Sequence, residues 1–430
     1  MKLARYMQVS MYLASLSYDR KKSPTGAREE QSMERKKYIR GFLTGILCTL
    51  LIGGIGFKVY DTVQYKERNQ GAVTDAFVQK AKFIEETVKD SYTGETDDSL
   101  MEEYMYKGMM ASLGDPYSAY YTQEEYEDLT AETTGSYKGI GVVMQQNTDT
   151  MQVEVVRCYE GAPGEKAGLL PGDIIIQVNG EDAASMELSE VVDKVKSSED
   201  GTAHLTIARE GETDYLQIDV PLEEVNIPVV AHEMLEENIG YIALYEFTEQ
   251  TEPQYKSAFQ ELKEQGMERL IVDVRGNPGG LLTSVCDILE DILPEGLIVY
   301  TEDKDGSRRE YTCDGDNELN MPLAVLINGN SASASEIFAG AIQDYGLGTL
   351  VGTTTYGKGI VQSLIPLSDG SAIKTTTAKY YTPKGRCIHG TGIQPDVEEE
   401  LNEGLEQETS IPHEEDNQLQ KALEVVKAME

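Results

Sequence analysis

The sequence predicts a protein of mixed α and β structure whose largest part is an α/β domain. Three observations support this prediction. From Ile239 onward, apolar runs of strand length alternate with amphipathic helical segments, which is typical of α/β domains. Between residues 133 and 222 the pattern changes to short strands separated by tight turns. Residues 41–57 form an uncharged, mostly apolar run of 17 residues, which is near the lower limit for a membrane-spanning helix.

The charge distribution divides the chain between two environments. The 430 residues carry a formal net charge of −38, yet the first 40 residues contain ten Lys or Arg and only four Asp or Glu. By the positive-inside rule, the basic tail of residues 1–40 stays in the cytoplasm, a transmembrane anchor spans residues 41–60, and the acidic remainder is exported. A cleaved signal peptide is the alternative, but no clear Ala-x-Ala site follows the apolar run. The acidic surface argues against nucleic-acid partners.

Residues 61–130 predict a helical region between this anchor and the first folded domain. Apolar residues from Val73 to Val88 follow the spacing of one helix face, and a second helix is expected from Ser99 to Leu113, ended by Gly114. The apolar stripe indicates an arm that packs on the next domain. A dimerising arm is the alternative, and it would make the protein a homodimer.

Residues 133–222 carry the sequence of a small β domain with a peptide-binding loop. The run from Ala167 to Gly180 reads Ala-Gly-Leu-x-x-Gly-Asp-x-Ile-x-x-Val-Asn-Gly and ends in a tight hairpin turn. This segment resembles a bacterial PDZ domain. The resemblance implies that backbone N–H groups at Gly139, Ile140, Gly141 and Val142 hold a terminal carboxylate, and that the following strand accepts a peptide by β-augmentation. A β domain used only as a spacer is the alternative.

Residues 223–400 form the predicted α/β domain, followed at residues 401–430 by an acidic linker and a C-terminal helix that docks on the core. Two strand-to-helix turns of this domain are rich in small residues. One turn follows the strand that ends near Val274 and contains Gly279 and Gly280; the other follows the strand Leu323–Ile327 and contains three serines. The two turns are expected to face each other across a cleft.

The serine turn supplies candidate nucleophiles, and Lys358 supplies a candidate base. Ser331, Ser333 and Ser335 precede an amphipathic helix, so the turn exposes hydroxyl groups beside backbone N–H groups that have no helical partner. The sequence alone leaves the choice among the three serines open. A lysine accepts a proton near neutral pH only when burial lowers its pKa, so Lys358 is expected to be withdrawn from water.

Three motifs occur together in this chain: Asp273-x-Arg275-x-Asn277-x-Gly279-Gly280, Ser331-Ala-Ser-Ala-Ser-Glu336 and Gly357-Lys-Gly-x-Val-Gln362. In this order they resemble the carboxyl-terminal processing peptidases, which are S41-type serine proteases with a Ser-Lys dyad. The resemblance implies a crotonase-like ββα protease core into which the PDZ domain is inserted. It also implies an exported endopeptidase that binds the apolar C-terminal tail of a protein substrate and needs no metal or organic cofactor.

The same resemblance assigns roles to individual residues. Ser333 is expected to be the nucleophile, Lys358 the base and Gln362 the residue that orients the lysine amine. The N–H groups of Ala334 and Gly279 are expected to form the oxyanion hole. In a regular strand Gln362 would lie about 13 Å from Lys358 at Cα, so direct contact requires a turn or a bulge or the reach of the lysine chain.

Two further expectations concern a charged pair and the histidines, and two alternative functions are considered beside the protease. Asp273 and Arg275 are expected to form an internal ion pair rather than to touch substrate. Of the four histidines, only His389 lies in the protease-like segment, and a histidine base is not expected there. The alternatives to a protease are a catalytically silent PDZ scaffold at the envelope and, by analogy of fold, an acyl-CoA enzyme.

Overall fold

The computed structural model describes residues 71–405 and 411–429, which fall into two units, one ending at Asp98 and the other beginning at Ser99. The predicted basic tail and transmembrane anchor lie outside these residues. Within the described ranges, no helix combines the length and the apolar character that crossing a membrane requires.

The N-terminal part of the described chain is helical, as predicted. Its elements are α1 (Asp75–Ser91), α2 (Asp98–Ala111), β1 (Ala119–Tyr121) and α3 (Gln123–Thr134). Thr74 caps α1 by accepting a hydrogen bond from the N–H of Phe77. Neither α1 nor α2 contains a buried residue, so the predicted packing or dimerising role of the arm stays a prediction. The strand β1 and the helix α3 were not anticipated.

The β domain contains β2 (Ser136–Gly139), β3 (Val142–Gln146), β4 (Val153–Cys158), α4 (Pro163–Ala167), β5 (Ile174–Val178), β6 (Glu181–Asp182), α5 (Leu188–Lys196), β7 (Thr202–Ala208), β8 (Leu216–Pro221) and β9 (Glu223–Asn226). Its antiparallel sheet has the order β3-β4-β5-β7-β8, with β6 beside β5, while β2 pairs with β9. A core of its own, which includes Val155, Leu205 and Val220, lies beneath this sheet.

The α/β domain contains β10 (Val230–Leu235), β11 (Ile239–Leu244), α6 (Thr251–Glu264), β12 (Arg269–Asp273), α7 (Leu282–Glu290), β13 (Gly296–Asp303), β14 (Arg308–Cys313), β15 (Leu323–Ile327), α8 (Ala334–Tyr345), β16 (Thr349–Gly352), β17 (Ile360–Pro366), β18 (Ala372–Tyr381), β19 (Val397–Glu398) and α9 (Asn417–Ala428). One sheet has the order β10-β11-β12-β15-β16-β19 and is parallel except at β10. A second, antiparallel sheet has the order β1-β18-β13-β14, with β17 also paired to β18.

Helices cover both faces of the parallel sheet because its strands alternate two sets of apolar side chains. Leu270 and Val272 of β12 pack into the core shared with α6, α7 and α8, whereas Ile271 faces the opposite side. There it contacts the group formed by Leu419, Ala422 and Val426 of α9. The C-terminal helix therefore docks on the core, as the sequence predicted.

Parallel pairing places the two predicted turns at the same edge of the sheet. Asp273 at the end of β12 lies opposite Leu326 in β15, so the chain leaves both strands side by side. The turn with Gly279 and the turn with Ser333 therefore meet at the carboxyl ends of neighbouring strands, where ligand sites of α/β sheets usually lie. The described cysteines, Cys158, Cys286, Cys313 and Cys387, are all free thiols.

Candidate active site

The structure separates the three serines that the sequence left open. Ser331 and Ser335 are fully buried, and their hydroxyls donate to the carbonyl oxygens of Val274 at 2.8 Å and Asn277 at 3.0 Å. Both serines therefore tie their own turn to the neighbouring one. Ser333 is partly exposed and precedes α8 with φ 55° and ψ −113°, a backbone conformation that non-glycine residues rarely adopt. Strained backbone of this kind is concentrated at functional sites.

The glycine turn lies in direct contact with the serine turn. Gly279 has φ +108°, and a Cβ atom placed on it would lie 2.7 Å from the Cβ of Ser333 and 3.0 Å from the nitrogen of Ala334. Only glycine allows this approach. The N–H of Ala334, at the first position of α8, belongs to the group that has no carbonyl partner inside a helix. The two turns therefore meet at Ser333.

The N–H of Gly279 is already engaged in this structure. It donates to Oδ1 of Asn277 at 2.8 Å, and the fully buried Asn277 amide in turn donates to the carbonyl oxygen of Leu244 at 2.9 Å. An oxyanion would have to share or replace the Asn277 oxygen to receive this hydrogen bond. The assignment of the oxyanion hole to Ala334 and Gly279 stays a prediction.

A buried carboxylate joins the serine turn to the lysine loop. Glu336 is fully buried, and its Oε2 accepts from the N–H of Ser333 at 2.9 Å and from the N–H of Lys358 at 2.8 Å. Its Oε1 accepts from the N–H of Gly357 at 2.7 Å and from the hydroxyl of Thr355 at 2.6 Å. The sequence analysis gave Glu336 no role. The Ser-x-x-Glu spacing of a capping box was the signal that could have found it.

Tyr380 makes a second link between the same two segments, at the level of their carbonyl groups. Its hydroxyl lies 2.9 Å from the carbonyl oxygen of Ser333 and 2.6 Å from that of Lys358. The ring is almost fully buried, and burial raises the pKa of this phenol well above its ordinary value. Tyr380 therefore acts here as a neutral hydrogen-bond donor. No sequence pattern pointed to it.

Lys358 has the environment that the sequence analysis expected of a base. It is half-buried, and its pKa is lowered mainly by this burial and secondarily by the neighbouring cation of Lys374, while Asp115 and Glu336 act in the opposite direction. Its Nζ lies 4.8 Å from the centroid of the Tyr117 ring. Among the hydrogen bonds of the described residues, none joins Nζ of Lys358 to Oγ of Ser333.

Gln362 lies in the strand that follows Lys358, and the pairing of β17 with β18 shifts register between Val361 and Gln362. The bulge that contact with Lys358 would require is therefore present. The Gln362 amide nevertheless lies 3.5 Å from the hydroxyl of Thr376, which itself donates to Asp115 at 2.7 Å. In this structure Gln362 contacts the Asp115 network rather than the lysine amine, and its orienting role stays a prediction.

Asp273 and Arg275 form the expected internal ion pair. The guanidinium of Arg275 lies 2.6 Å from Oδ2 of Asp273 and 2.8 Å from Oδ2 of Asp416, and it also donates to Gln418 at 3.0 Å. Tyr241 donates to Asp273 from the neighbouring strand at 2.7 Å. Arg275 therefore joins the glycine turn to the start of α9 and has no free face for substrate.

The predicted peptide-binding loop of the β domain is built around Gly139 and Gly141. The side chains of Ile140 and Val142 are buried in the core, so the loop presents backbone rather than side chains. The ring of Tyr137 folds against Gly139, where a Cβ atom would lie 2.3 Å from the ring. Burial raises the pKa of the Tyr137 phenol, and the N–H groups of Gly141 and Val142 act in the opposite direction. The phenol oxygen therefore lies near two of the N–H groups that were expected to hold a terminal carboxylate.

Three of the four histidines contact acidic residues, and the fourth, His389, lies beside the lysine loop. His204, His232 and His413 contact the acidic residues Asp219, Glu261 and Glu233. The backbone of His389 packs against Gly359 beside the lysine loop. No hydrogen bond of the described residues joins a histidine to Ser333, and the described ranges contain no group of three or more His, Cys, Asp or Glu placed to hold a metal ion.

Comparison with known proteins agrees with this arrangement. Residues 238–399 match the model of peptidase family S41, and residues 154–209 match a PDZ domain. A carboxyl-terminal-processing protease of Synechocystis sp. is 36% identical over 322 residues, which cover 74% of this chain and 75% of the relative. The chain belongs to peptidase family S41.

Other relatives also match most of this chain. The carboxy-terminal processing protease CtpA of Bacillus subtilis is 31% identical over 85% of this chain and 78% of its own length. A solved structure of a photosystem II D1 C-terminal processing protease is 30% identical, covers 75% of this chain and 88% of its own, and has a TM-score of 0.44. The chain is therefore a serine peptidase with a PDZ domain, related over most of its length to C-terminal processing proteases.

Proposed function

We propose that this S41 peptidase is a membrane-anchored, exported endopeptidase that uses Ser333 and Lys358 as a catalytic dyad. Ser333 is the exposed serine of the turn, Lys358 is half-buried, and Glu336 accepts hydrogen bonds from the backbone N–H groups of both. The proposal depends mainly on this shared buried carboxylate, because it holds the serine turn and the lysine loop at a fixed distance from each other.

The proposed reaction moves one proton at a time between Ser333, Lys358 and the substrate. The neutral amine of Lys358 takes the hydroxyl proton while Oγ bonds to the peptide carbonyl carbon, and the N–H of Ala334 stabilises the resulting oxyanion. The ammonium then returns the proton to the leaving amine as the C–N bond breaks. Water attacks the acyl-enzyme and gives a proton to Lys358, which passes it to Oγ of Ser333 as the C–O bond to the serine breaks and the new carboxyl group leaves.

The PDZ domain is proposed to bring the substrate to this site. Its loop at Gly139–Val142 takes the terminal carboxylate of a protein tail, and the adjacent strand pairs with the tail backbone. Apolar tails are the expected ligands, and the net charge of −38 disfavours acidic ones. The Gln362 amide is proposed to orient Lys358 once its contact with Thr376 is released.

The dyad is tested by cleavage of an unstructured reporter that ends in apolar residues. Ser333→Ala and Lys358→Ala are expected to abolish cleavage while the tail still binds. Lys358→Arg is also expected to be inactive, because a guanidinium does not give up its proton. Lys379→Ala is the matched control, since Lys379 is an exposed lysine on the neighbouring strand. Cleavage retained by Lys358→Ala refutes the dyad.

The proposed location rests on the apolar run at residues 41–57 and the basic residues before it. Protease added to intact cells should digest the catalytic region, while an epitope at the N-terminus becomes accessible only after the membrane is broken. Digestion of the N-terminal epitope in intact cells would contradict this orientation.

A further inference from the structure

The loop between α2 and β1 forms one wall of the space around Lys358. Asp115 fixes the loop by accepting three hydrogen bonds: from the N–H of Tyr117 at 3.0 Å, from the hydroxyl of Ser118 at 2.6 Å and from the hydroxyl of Thr376 at 2.7 Å. The hydroxyl of Ser118 also accepts from the N–H of Thr376 at 3.1 Å. The position of the Tyr117 ring is therefore set by a network that reaches into β18.

A second tyrosine of the lysine loop lies near the same ring. Tyr356 acts to raise the pKa of the Tyr117 phenol, so the two phenols are neighbours. Tyr356 lies two residues before Lys358, and its N–H donates to the carbonyl oxygen of Ser331 at 3.0 Å. The ring of Tyr117 therefore lies near a residue of the lysine loop that is tied to the serine turn.

Charged groups on the elements packed around the Lys358 amine shift its pKa. Asp115 from the loop and Glu336 from α8 favour the ammonium form, whereas burial and Lys374 from β18 oppose it. Lys374 itself lies over the ring of Tyr121, at 4.9 Å. The pKa of Asp115 is lowered mainly by the hydrogen bonds from Ser118 and Thr376, and His389 acts in the same direction. The face of an aromatic ring attracts a cation within about 6 Å and has much less attraction for a neutral amine.

We propose that Tyr117 is a positioning residue for the catalytic base: its ring holds Lys358 as an ammonium ion away from Ser333, and the amine moves to Ser333 when it loses its proton. The inference rests on the proposed dyad. It follows from the 4.8 Å contact with the ring and from the fixed position of that ring. Loss of the proton removes the attraction to Tyr117 and creates the acceptor that the serine hydroxyl needs, so the two events are coupled.

The test is the pH dependence of kcat/KM for the reporter, measured on the full-length protein and normalised to each variant's plateau. Removing the ring in Tyr117→Leu takes away the stabilisation of the ammonium form of Lys358. The acidic limb of the profile, where activity falls because Lys358 gains a proton, should therefore move to lower pH by roughly 0.4–1.5 units. Tyr117→Phe keeps the ring and should keep the limb near that of the wild type. Tyr120→Leu is the matched control, because Tyr120 is an aromatic residue of the same segment whose ring packs, tilted, against Tyr106.

A shape-preserving series replaces Tyr117 with phenylalanine carrying zero to three ring fluorines. Each fluorine weakens the attraction of the ring for a cation while leaving its packing nearly unchanged, so the acidic limb should fall stepwise. This series decides the question even if Tyr117→Leu does not fold. A limb that stays fixed across the series, or that moves to higher pH, overturns the inference.

The outcomes separate this inference from the dyad on which it rests. If Lys358→Ala is inactive and the fluorinated series does not move the limb, the dyad stands and Tyr117 has only a structural role. If Lys358→Ala cleaves like the wild type, the dyad fails and the inference fails with it. A lowered plateau with an unmoved limb also counts against positioning by Tyr117.

Discussion

Glu336→Gln removes the acceptor that the serine turn and the lysine loop share, without changing the size of the side chain. The carboxylate accepts four hydrogen bonds, from Ser333, Lys358, Gly357 and Thr355. An amide nitrogen cannot accept any of them. If the NH2 group replaces Oε2, the N–H groups of Ser333 and Lys358 lose their acceptor. If the NH2 group replaces Oε1, the N–H of Gly357 loses its acceptor.

The size of the effect follows from these lost acceptors. Each buried donor left without a partner costs about 1–3 kcal/mol, and one or two N–H donors lose theirs, so the free energy of unfolding should fall by about 1–6 kcal/mol. Part of this cost is relieved when the two segments move apart, which changes the approach of Lys358 to Ser333. A loss of about 3 kcal/mol at the transition state corresponds to roughly a 10²-fold fall in kcat.

The assay compares kcat for the reporter, tail binding and thermal unfolding for Glu336→Gln and for Asp344→Asn. Asp344 is a buried carboxylate at the other end of α8, where it contacts Arg386 and the N–H of Lys384. We expect both variants to lose stability, Glu336→Gln alone to lose kcat, and neither to lose tail binding. A kcat of Glu336→Gln within threefold of the wild type, or an equal loss in Asp344→Asn, would refute the reasoning.

Three further predictions concern the neighbouring turns and the PDZ loop. Gly279→Ala should lose most activity and more stability than Gly276→Ala, because both have positive φ but only Gly279 lies against Ser333; equal unfolding curves would contradict this. Asp416→Asn should lower the free energy of unfolding by about 3–5 kcal/mol. Burial acts to raise the pKa of Asp416, but Arg275 outweighs burial and holds this pKa below its ordinary value. The difference in the free energy of unfolding between variant and wild type should therefore disappear as the pH falls through that pKa. Tyr137→Phe, in an inactive Ser333→Ala background, should bind a tail with a free carboxylate about 2- to 10-fold more tightly and leave an amidated tail unaffected; weaker binding in fluorescence anisotropy would contradict the placement of its hydroxyl.

The sequence was most informative where neighbouring residues decide the structure. The strand Leu323–Ile327 has the predicted bounds, and the small residues after it form the turn that exposes Ser333. The choice among the three serines needed the structure, because the partners of Ser331 and Ser335 are carbonyl groups almost 60 residues away. Burial against another segment leaves no local pattern.

Contacts between distant segments were the part that the sequence did not predict. Gly114 was interpreted only as the end of a helix, yet the loop that follows it brings Tyr117 to Lys358, which lies 241 positions later. For Gln362, the local backbone geometry was predicted but the side-chain contact was not. The bulge that the strand geometry required is present, but the side chain contacts Thr376, whose position depends on how β18 pairs.

The link between Arg275 and the start of α9 has a consequence for how the fold is completed. Arg275 is surrounded by Asp273, Asp416 and Gln418, and the last two lie 141 and 143 positions further along the chain. Until α9 docks, the guanidinium beside the glycine turn lacks two of its three partners, and a charge buried in that state is costly. Docking of α9 is therefore coupled to completion of the turn that faces Ser333.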